Sequence, residues 1–546
     1  MSTEAAPAPK TPDVATQSLA RPTAVMAVGT ALSRITGLGR TVAMAFALGV
    51  SESRLADSYN LANTLPNVIY ELILGGVLTS VFIPLIIQEL RTKEHEDAWR
   101  SVSALVSTSL VVLAGCTLLV LVSAPVVVDV FTQKTSGAVQ AEQRELATSF
   151  LRMFSPQIFL YGFAAIAAGL LNAHGRFALP MFAPIVNNLV VIATFLTFSV
   201  IVAGTPTDAS VNDHPGQQLL LGLGTTAGVL AMTLMYLPAL RRLPGRIRMR
   251  VDFRHPMVRR LAVLSAWTIA YVVTNTLGFA VSFYLANGVQ GGVTAYVTAF
   301  AFFQLPIGIA AVSIMTALVP RMSARHTDGD EAGFRDALSQ GFRTTALLLL
   351  PATAALIVLA KPMIQVLLEH GVVRSDSVDL VSRVLVFFAI GLVPFATYQL
   401  LMRSFYTRQD ARTPALVNVA ENVATVALDF ALFPLMKIEG LALAHTLGYV
   451  IGCVVGGTVL VRRVGALDWG RIAREFAKAL AAACVAGAVM LGVVAAGDAA
   501  LAAGELRALA ELVVGGVAGI GAFVLAARLL RAEDLSVFLR LLPGRG

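Results

Sequence analysis

Long apolar stretches alternate with short polar ones along almost the whole chain. About 20 apolar residues suffice to cross a hydrocarbon core of roughly 30 Å as a helix, and a helix satisfies its own backbone hydrogen bonds within lipid. The pattern therefore predicts an all-α polytopic membrane protein with about fourteen transmembrane helices, near residues 24–50, 61–88, 102–131, 147–171, 181–203, 217–239, 261–286, 294–319, 341–368, 379–404, 414–435, 440–461, 475–496 and 508–530.

The composition excludes an ordinary soluble protein. Of 546 residues, 56% are hydrophobic and 14% are charged, and the mean hydropathy is +0.75, whereas soluble domains carry about 25% charged residues. The first 20 residues are rich in Ala, Pro, Ser and Thr and lack the order of a cleaved signal peptide. They predict a disordered N-terminus.

The positive charges between the stretches predict the orientation, because short cytoplasmic loops carry an excess of Lys and Arg. Residues 241–260 contain eight arginines and 462–478 contain five basic residues, whereas 204–218 and 286–292 contain none. Both termini are therefore expected in the cytoplasm. We interpret residues 241–260 as a topology signal; a specific site for anionic lipid is the alternative.

An internal repeat divides the chain. Residues 172–188 resemble 406–422, with Pro180 aligned to Pro414 and Asn188 to Asn422 at an offset of 234. Six stretches per copy predict two six-helix lobes as a parallel pseudo-repeat, as in transporters whose substrate site lies between the halves. The predicted division is a disordered cytoplasmic N-terminus (1–21), an N-lobe (22–240), a basic cytoplasmic loop (241–260), a C-lobe (261–463), helices 13 and 14 (464–530) and a cytoplasmic tail (531–546).

Two arginines interrupt the first apolar stretch in the segment "SRITGLGR". A charge in mid-membrane costs about 3 kcal/mol and usually faces a polar pathway. Six residues would place Arg34 and Arg40 about 120° apart on an ideal helix, but Gly37 and Gly39 permit a kink that brings them together. Arginine suits phosphate because its planar fork donates two hydrogen bonds at once. For Arg40, reaching out to the membrane interface is an alternative to a role in the cavity.

Further candidates lie around the second stretch. Asp57 and Glu71 flank it and are both candidates for the charge opposite the arginines. Pro66, Gly75 and Gly76 interrupt it and predict kinks that take part in gating, with static packing as the alternative.

The second half carries acidic residues instead. Glu421, Asp429 and Asn422 lie in the eleventh stretch and Thr446 in the twelfth. Carboxylate, amide and hydroxyl oxygens suit a coupling cation such as Na+, or a proton. The alternative for Glu421 is an ion pair with Arg408 or Arg412.

No residue pattern indicates catalysis. Cys116, Cys453 and Cys484 lie in apolar runs without metal-ligand spacing, and no nucleotide-binding or catalytic motif is recognisable. We expect a transporter rather than an enzyme, without a cofactor and without a firm metal site.

Four ordered segments carry a family resemblance: "SRITGLGR", "ADSYNLANTLPN" (56–67), "LLNAHGRFALPMFAPIVNN" (170–188) and "FYTRQDARTPALVN" (405–418). Together they resemble the MurJ (MviN) family of bacterial lipid II flippases, within the multidrug/oligosaccharidyl-lipid/polysaccharide exporter superfamily. The resemblance implies a fourteen-helix fold in the bacterial plasma membrane. It also implies export of undecaprenyl-pyrophosphate-linked peptidoglycan precursor, with a role in cell-wall biogenesis and cell shape.

The resemblance implies site residues as well. Arg34, Arg40 and Asp57 match positions of the family that line a cationic cavity for the substrate. Ser33, next to Arg34, is a further candidate for substrate binding. The chain departs from the family where relatives carry further arginines: it has Tyr70, Glu71 and Ala301 there. These departures indicate a divergent, actinobacterial-type member.

Several alternatives remain open at this point. They are a flippase for another lipid-linked glycan, a drug or cation antiporter of the same superfamily, and a non-transporting scaffold of the cell-wall machinery. The expected partners are lipid II, membrane lipids and cell-wall synthesis proteins, with no nucleic acid. Transport would draw on an ion gradient, the membrane potential or product removal.

Overall fold

The computed structural model describes residues 20–71, 82–92, 94–245, 247–308 and 312–535. In these ranges every regular element is helical: α1 Ala20–Leu48, α2 Leu55–Glu71, α3 Ile83–Thr92, α4 His95–Thr132, α5 Gly137–Phe154, α6 Pro156–Ala173, α7 Ala178–Ile201, α8 Asp208–Asn212, α9 Pro215–Leu234, α10 Tyr236–Leu240, α11 Pro256–Ala286, α12 Gly292–Pro306, α13 Val312–Thr327, α14 Glu331–Val358, α15 Ala360–Leu368, α16 Ser375–Ile390, α17 Leu392–Thr407, α18 Arg412–Val464, α19 Trp469–Ala500 and α20 Glu505–Leu529.

The predicted all-α membrane fold is confirmed. The described residues of each of the fourteen predicted stretches fall mainly on one helix, on two consecutive helices or on part of α18. Among the described residues, nine helices are long and apolar enough to cross a membrane, or ten if α16 and α17, bent by 47°, form one span. The exact count of fourteen crossings stays a prediction.

Two helix breaks have visible causes. Pro156 follows Ser155 between α5 and α6 and has no N–H to continue the first helix. Inside α18 the backbone leaves helical geometry at Lys437, whose φ is 54° and ψ is −125°, three residues after Pro434. This break divides α18 at the boundary between the eleventh and twelfth predicted stretches.

Buried apolar side chains form three clusters. One lies mainly within α1 to α10 and includes Tyr59, whose ring meets Phe150, Phe154 and Phe195 edge to face. A second lies mainly within α11 to α18, with Ala45 of α1 packed into it. The third joins α14 to α19 and α20. The helices thus pack as two lobes with a terminal pair attached to the second.

The two lobes repeat one contact. Pro180 and Pro414 are each the third residue of a helix, α7 and α18. In the first lobe α7 packs against α1, where a Cβ on Gly37 would lie 3.7 Å from Asn188 Nδ2. In the second, α18 packs against α11, and a Cβ on Gly278 would meet Oδ1 of Asn422. The aligned asparagines therefore serve the same helix pair in each lobe, which supports the internal repeat.

Some expectations lie outside the described residues. The predicted disordered N-terminus falls there up to residue 19, and α1 begins at Ala20. Gly75 and Gly76 fall there too, so their role in gating stays a prediction.

Candidate substrate site between the lobes

Arg34 lies where the two lobes meet. A Cβ on Gly308, just after α12, would collide with the guanidinium group of Arg34. Arg34 is 14 residues before the end of α1 and Gly308 is 16 residues after the start of α12, so both lie about 21–24 Å along their helices from these ends. Within the described part of the chain Arg34 forms no ion pair. Its charge is available to a ligand at this level.

Arg40 belongs to the first lobe. It is half-buried on α1, which packs against α7 of the same lobe. It is one and two-thirds turns from Arg34 along the helix. A role in the cavity and a position at the membrane interface both stay predictions for Arg40.

Helix α1 continues as one helix through Gly37 and Gly39. A Cβ on either glycine would make an ordinary van der Waals contact with α7, 3.7 Å from Asn188 Nδ2 and 3.6 Å from Ile192 Cδ1. The idea that this pair of glycines brings the two arginines together stays a prediction.

Ser33 lies on the same side of α1 as the glycine packing. Its carbonyl accepts a hydrogen bond from Asn188 Nδ2 at 3.2 Å, and Thr36 Oγ1 accepts from the same nitrogen at 3.0 Å. The Ser33 backbone thus fixes α1 on α7, one residue before Arg34. A direct contact of Ser33 with substrate stays a prediction.

Asp57 contacts the other lobe instead of a cavity. Its Oδ2 accepts from Gly291 N at 2.7 Å, and its Oδ1 accepts from Thr294 N at 2.9 Å and Thr294 Oγ1 at 2.8 Å. A carboxylate is favourable at this position because the first N–H groups of α12 are otherwise unpaired. Asp57 is fully buried there, so in this conformation it neither pairs with Arg34 nor faces a ligand, contrary to the expectation.

More hydrogen bonds join the lobes at the same end. Ser51 Oγ lies 2.6 Å from Ser377 Oγ, and Glu52 Oε1 accepts from Ser377 Oγ at 2.8 Å and from Arg374 N at 2.7 Å. Arg54 Nη1 donates to the Asn287 carbonyl at 2.8 Å. We call this set, with Asp57, the end latch. It closes the lobes at the end of α1.

A titratable loop residue supports the end latch. Asp208, at the start of α8 between two long helices, accepts a hydrogen bond from Ser58 Oγ at 2.5 Å. Burial raises the pKa of Asp208 from 3.8 to about 6, although the Ser58 hydrogen bond opposes the shift. Ser58 is the neighbour of Asp57, so this carboxyl group lies directly behind the capping residue of α12.

The predicted ion site divides into two parts. Asp429 Oδ2 accepts from Ser282 Oγ at 2.7 Å, whereas its Oδ1 is buried with no hydrogen-bond partner among the described residues. Thr446 is not part of this contact: its hydroxyl donates to the Phe387 carbonyl at 2.9 Å and packs on Gly391. Asp429 and Thr446 thus have different hydrogen-bond partners in this conformation, and their grouping as one ion site stays a prediction.

Glu421 and Asn422 form a second polar group. Asn422 Nδ2 donates to Glu421 Oε2 at 2.7 Å and to Asn275 Oδ1 at 3.1 Å, and Thr425 Oγ1 donates to Glu421 Oε1 at 3.2 Å. The alternative of an Arg408 ion pair is contradicted, because Arg408 binds Glu331 at 2.8 Å. Glu421 is 2% exposed, and amide and hydroxyl donors surround its carboxyl group.

The remaining candidates have structural roles or undescribed side chains. Pro66 lies inside α2 and is buried, and Ala301 is half-buried in α12. The side chains of Tyr70 and Glu71 lie outside the described set. None of the three cysteines is in a disulfide bond: Cys116 and Cys453 are half-buried and Cys484 is exposed.

Three contacts were missed from the sequence. Gly308 interrupts an apolar stretch and so predicts only a kink, and it is the fold that places Arg34 against it. Ser282 was missed because one serine in a long helix is unremarkable until Asp429 is seen beside it. The end latch was also missed, since its partners are about 230 to 330 residues apart.

The described residues form a helical membrane protein of two packed lobes, with an arginine between them that has no ion-pair partner. This arrangement is typical of membrane transporters. The family described as "Lipid II flippase MurJ" matches residues 44–508. A Burkholderia cenocepacia protein named "Lipid II flippase MurJ" is 28% identical over 430 residues, covering 77% of this chain and 79% of that protein. A Rhizobium meliloti protein named "Probable lipid II flippase MurJ" is 27% identical over 460 residues, covering 83% and 82%.

Solved structures show the same fold. "Lipid II flippase MurJ, inward closed conformation" superimposes with a TM-score of 0.74 at 21% identity, covering 93% of this chain and all of that one. An inward-facing multidrug resistance MATE family transporter of the MOP superfamily gives 0.63 at 14% identity, covering 82% and 98%. The chain belongs to the lipid II flippase MurJ family. Membership confirms the family resemblance and the prediction of a transporter rather than an enzyme.

Proposed function

We propose that this chain moves lipid II, the undecaprenyl-pyrophosphate-linked peptidoglycan precursor, from the inner to the outer leaflet of the bacterial plasma membrane. The family match over residues 44–508 and the names of the relatives support the substrate. The single structural observation that carries the proposal is Arg34, a positive charge at the lobe interface that no described acidic residue neutralises.

Arg34 is suited to the pyrophosphate group. Its guanidinium stays charged at all physiological pH values and donates two parallel hydrogen bonds to phosphate oxygens. Gly308 opposite has no side chain, which lets the guanidinium lie at the lobe interface without a collision. The headgroup would then lie between the lobes. The polyprenyl chain would remain in the lipid, because its apolar surface is more favourably placed in hydrocarbon than against polar groups.

Transport would proceed by alternating access. The Arg-rich segment 241–260 supports a cytoplasmic position for its end of the lobes, which would put both termini inside and the end latch outside. The latched conformation is then closed to the outside. Export requires the hydrogen bonds of Asp57, Ser51 and Glu52 to the C-lobe to break and the opposite ends of the lobes to approach.

We further propose that Asp429 is the coupling-ion site. Its unpaired, buried Oδ1 and the Ser282 hydroxyl beside it supply oxygen ligands of the kind that Na+ accepts, and a proton on Asp429 is the alternative. Glu421, held by amide and hydroxyl donors, is the second candidate for the proton. The membrane potential alone can also drive the return of a positive site.

Binding to purified protein tests the substrate. The full chain in lipid nanodiscs would be titrated with lipid II, with the same pyrophosphate lipid bearing a different glycan, and with undecaprenyl phosphate. We expect lipid II to bind tightest and Arg34→Gln to weaken it about tenfold or more, since a charged hydrogen bond contributes about 1.5–3 kcal/mol. Arg100→Gln, which changes an exposed arginine on α4, is the matched control. Tighter binding of the other glycan would instead favour a flippase for that lipid.

A further inference from the structure

The Arg-rich segment between the lobes has a definite conformation. Residues 247–253 contain no helix and lie along α4, where Arg248 N donates to Ser103 Oγ at 3.1 Å, Arg250 N to Ser107 Oγ at 3.0 Å, and Asp252 N to Thr108 Oγ1 at 3.0 Å. Alternate N–H groups of one extended segment thus bind hydroxyl groups of one helix.

The spacing explains this docking. Four residues of a helix rise about 6 Å, and two residues of an extended chain span about 6.6 Å. The distance along α4 between the Ser103 and Ser107 hydroxyls therefore matches the distance between every second N–H group of the extended segment. Before this segment Gly245 lies so close to Trp99 that a Cβ would collide with the indole. The segment is fixed to α4 by its backbone, which leaves its side chains free.

Those side chains divide by residue type. In an extended chain alternate residues point to opposite faces. Over residues 247–252 one face carries Ile247, Met249 and Val251, which are 38%, 78% and 47% exposed, and the other carries the exposed Arg248 and Arg250 with Asp252. Phe253, which is 60% exposed, and the exposed Arg254 follow in a turn. We call residues 247–254 the amphipathic strip.

We propose that the amphipathic strip binds anionic phospholipid at the membrane surface, with its apolar residues among the acyl chains and its arginines on lipid phosphates. The level along α4 supports this occupant. Ser103 to Thr108 lie between the polar first turns of α4, which contain Glu96, Asp97 and Arg100, and its exposed apolar residues, which begin at Val111. The strip therefore lies at the height where headgroups meet hydrocarbon.

Charge complementarity selects anionic lipid over other lipids. Arginines bind phosphate with two hydrogen bonds, and basic residues next to a membrane helix are attracted to anionic leaflets. The four exposed apolar residues distinguish the strip from a basic loop that only sets the orientation, because orientation needs charge and no apolar face.

Lipid selection by the full-length protein tests the proposal. Wild type in nanodiscs containing phosphatidylglycerol and phosphatidylcholine in equal amounts is exchanged into detergent, and the retained lipids are counted by native mass spectrometry. We expect wild type to retain phosphatidylglycerol in preference to phosphatidylcholine. In the variant Arg248→Gln/Arg250→Gln/Arg254→Gln the ratio of the two retained lipids should fall about tenfold or more. The control removes three other exposed arginines at the same end: Arg462→Gln/Arg474→Gln/Arg528→Gln. Equal loss in both variants would overturn the proposal.

Depth is measured separately. In vesicles of lipids brominated close to the headgroup, the tryptophan fluorescence of the Phe253→Trp variant should be quenched more than that of wild type, which has three native tryptophans. Adding Ser103→Ala/Ser107→Ala to Phe253→Trp should reduce this quenching, because two of the hydroxyl anchors are gone. If Phe253→Trp is not quenched, the strip faces water or a protein partner, and the proposal is wrong.

Discussion

The guanidinium group of Arg34, in the first helix, lies against the backbone of Gly308 in the second lobe. The contact crosses the lobe interface and depends on the missing side chain of the glycine. The Arg34–Gly308 contact therefore depends both on an anion bound between the lobes and on the distance between the two lobes.

Gly308→Ala should reduce flipping strongly without loss of protein. The added methyl group would displace the Arg34 guanidinium, while the backbone at Gly308 has no positive φ and accepts alanine without strain. Outer-face lipid II in cells that depend on the variant measures the effect. Gly457→Ala is the control, because its Cβ would meet nothing within 4 Å. Wild-type flipping by Gly308→Ala would contradict the role of this contact.

A disulfide across the end latch should arrest transport reversibly. Ser51 and Ser377 have their Oγ atoms 2.6 Å apart, so cysteines at these positions, in a chain without its three native cysteines, should form a bond when the lobes are closed there. We expect the oxidised protein to stop flipping and a reductant to restore it. Continued flipping with the disulfide intact would show that this end need not open, and each single cysteine variant is the control.

Asp57→Ala should weaken the end latch. The change leaves the buried N–H groups of Gly291 and Thr294 without an acceptor, at about 1–3 kcal/mol for each unsatisfied group. The yield of the Ser51–Ser377 disulfide should fall correspondingly at a fixed oxidation time. An unchanged yield would mean that Asp57 does not contribute to closing the lobes.

The pH dependence of stability should carry a contribution from Asp208. Because the pKa of Asp208 is raised to about 6 in the folded protein, the folded state holds this proton more tightly than the unfolded chain, and stability falls as pH rises from about 4 to 6. Asp208→Asn should therefore be more stable than wild type at pH 7, by up to about 3 kcal/mol, with the difference disappearing near pH 4. Thermal unfolding measured between pH 4 and pH 7 tests this. A difference in stability between Asp208→Asn and wild type that stays constant over this pH range would contradict the raised pKa of Asp208.

Lys437→Gly should stabilise the fold. Lys437 holds a φ of 54° with a ψ of −125°, a combination that glycine adopts without the cost of about 1–3 kcal/mol borne by other residues. The exposed side chain has one weak ring contact to lose, with Phe433 at 5.7 Å. A higher unfolding temperature is expected; Lys361→Gly, within helix α15, is the contrasting control and should lower it.

The fold was largely predictable because apolar length and loop charge are local properties of the sequence. The aligned residues Asn188 and Asn422 also occupy matching helix contacts, so the repeat could be found from the letters alone. Arg34 was identified for the same reason: a charge in an apolar stretch needs a special environment wherever the chain folds.

The rest depended on which surfaces meet. Asp57 looked like a cavity residue, but the fold brings the unpaired N–H groups of α12 to it. Gly37 and Gly39 predicted a kink, but α1 continues through both as one helix that packs on α7. Asp429 and Thr446 lie on one long element, but its break at Lys437 and the neighbouring helices give them different partners.

The most direct test measures lipid II on the outer face of cells depleted of this protein and rescued with wild type or Arg34→Ala at equal membrane levels. The account predicts that exposure falls on depletion and that wild type restores it while Arg34→Ala does not. Unchanged outer-face lipid II on depletion would contradict the substrate, and full rescue by Arg34→Ala would contradict the arginine site between the lobes.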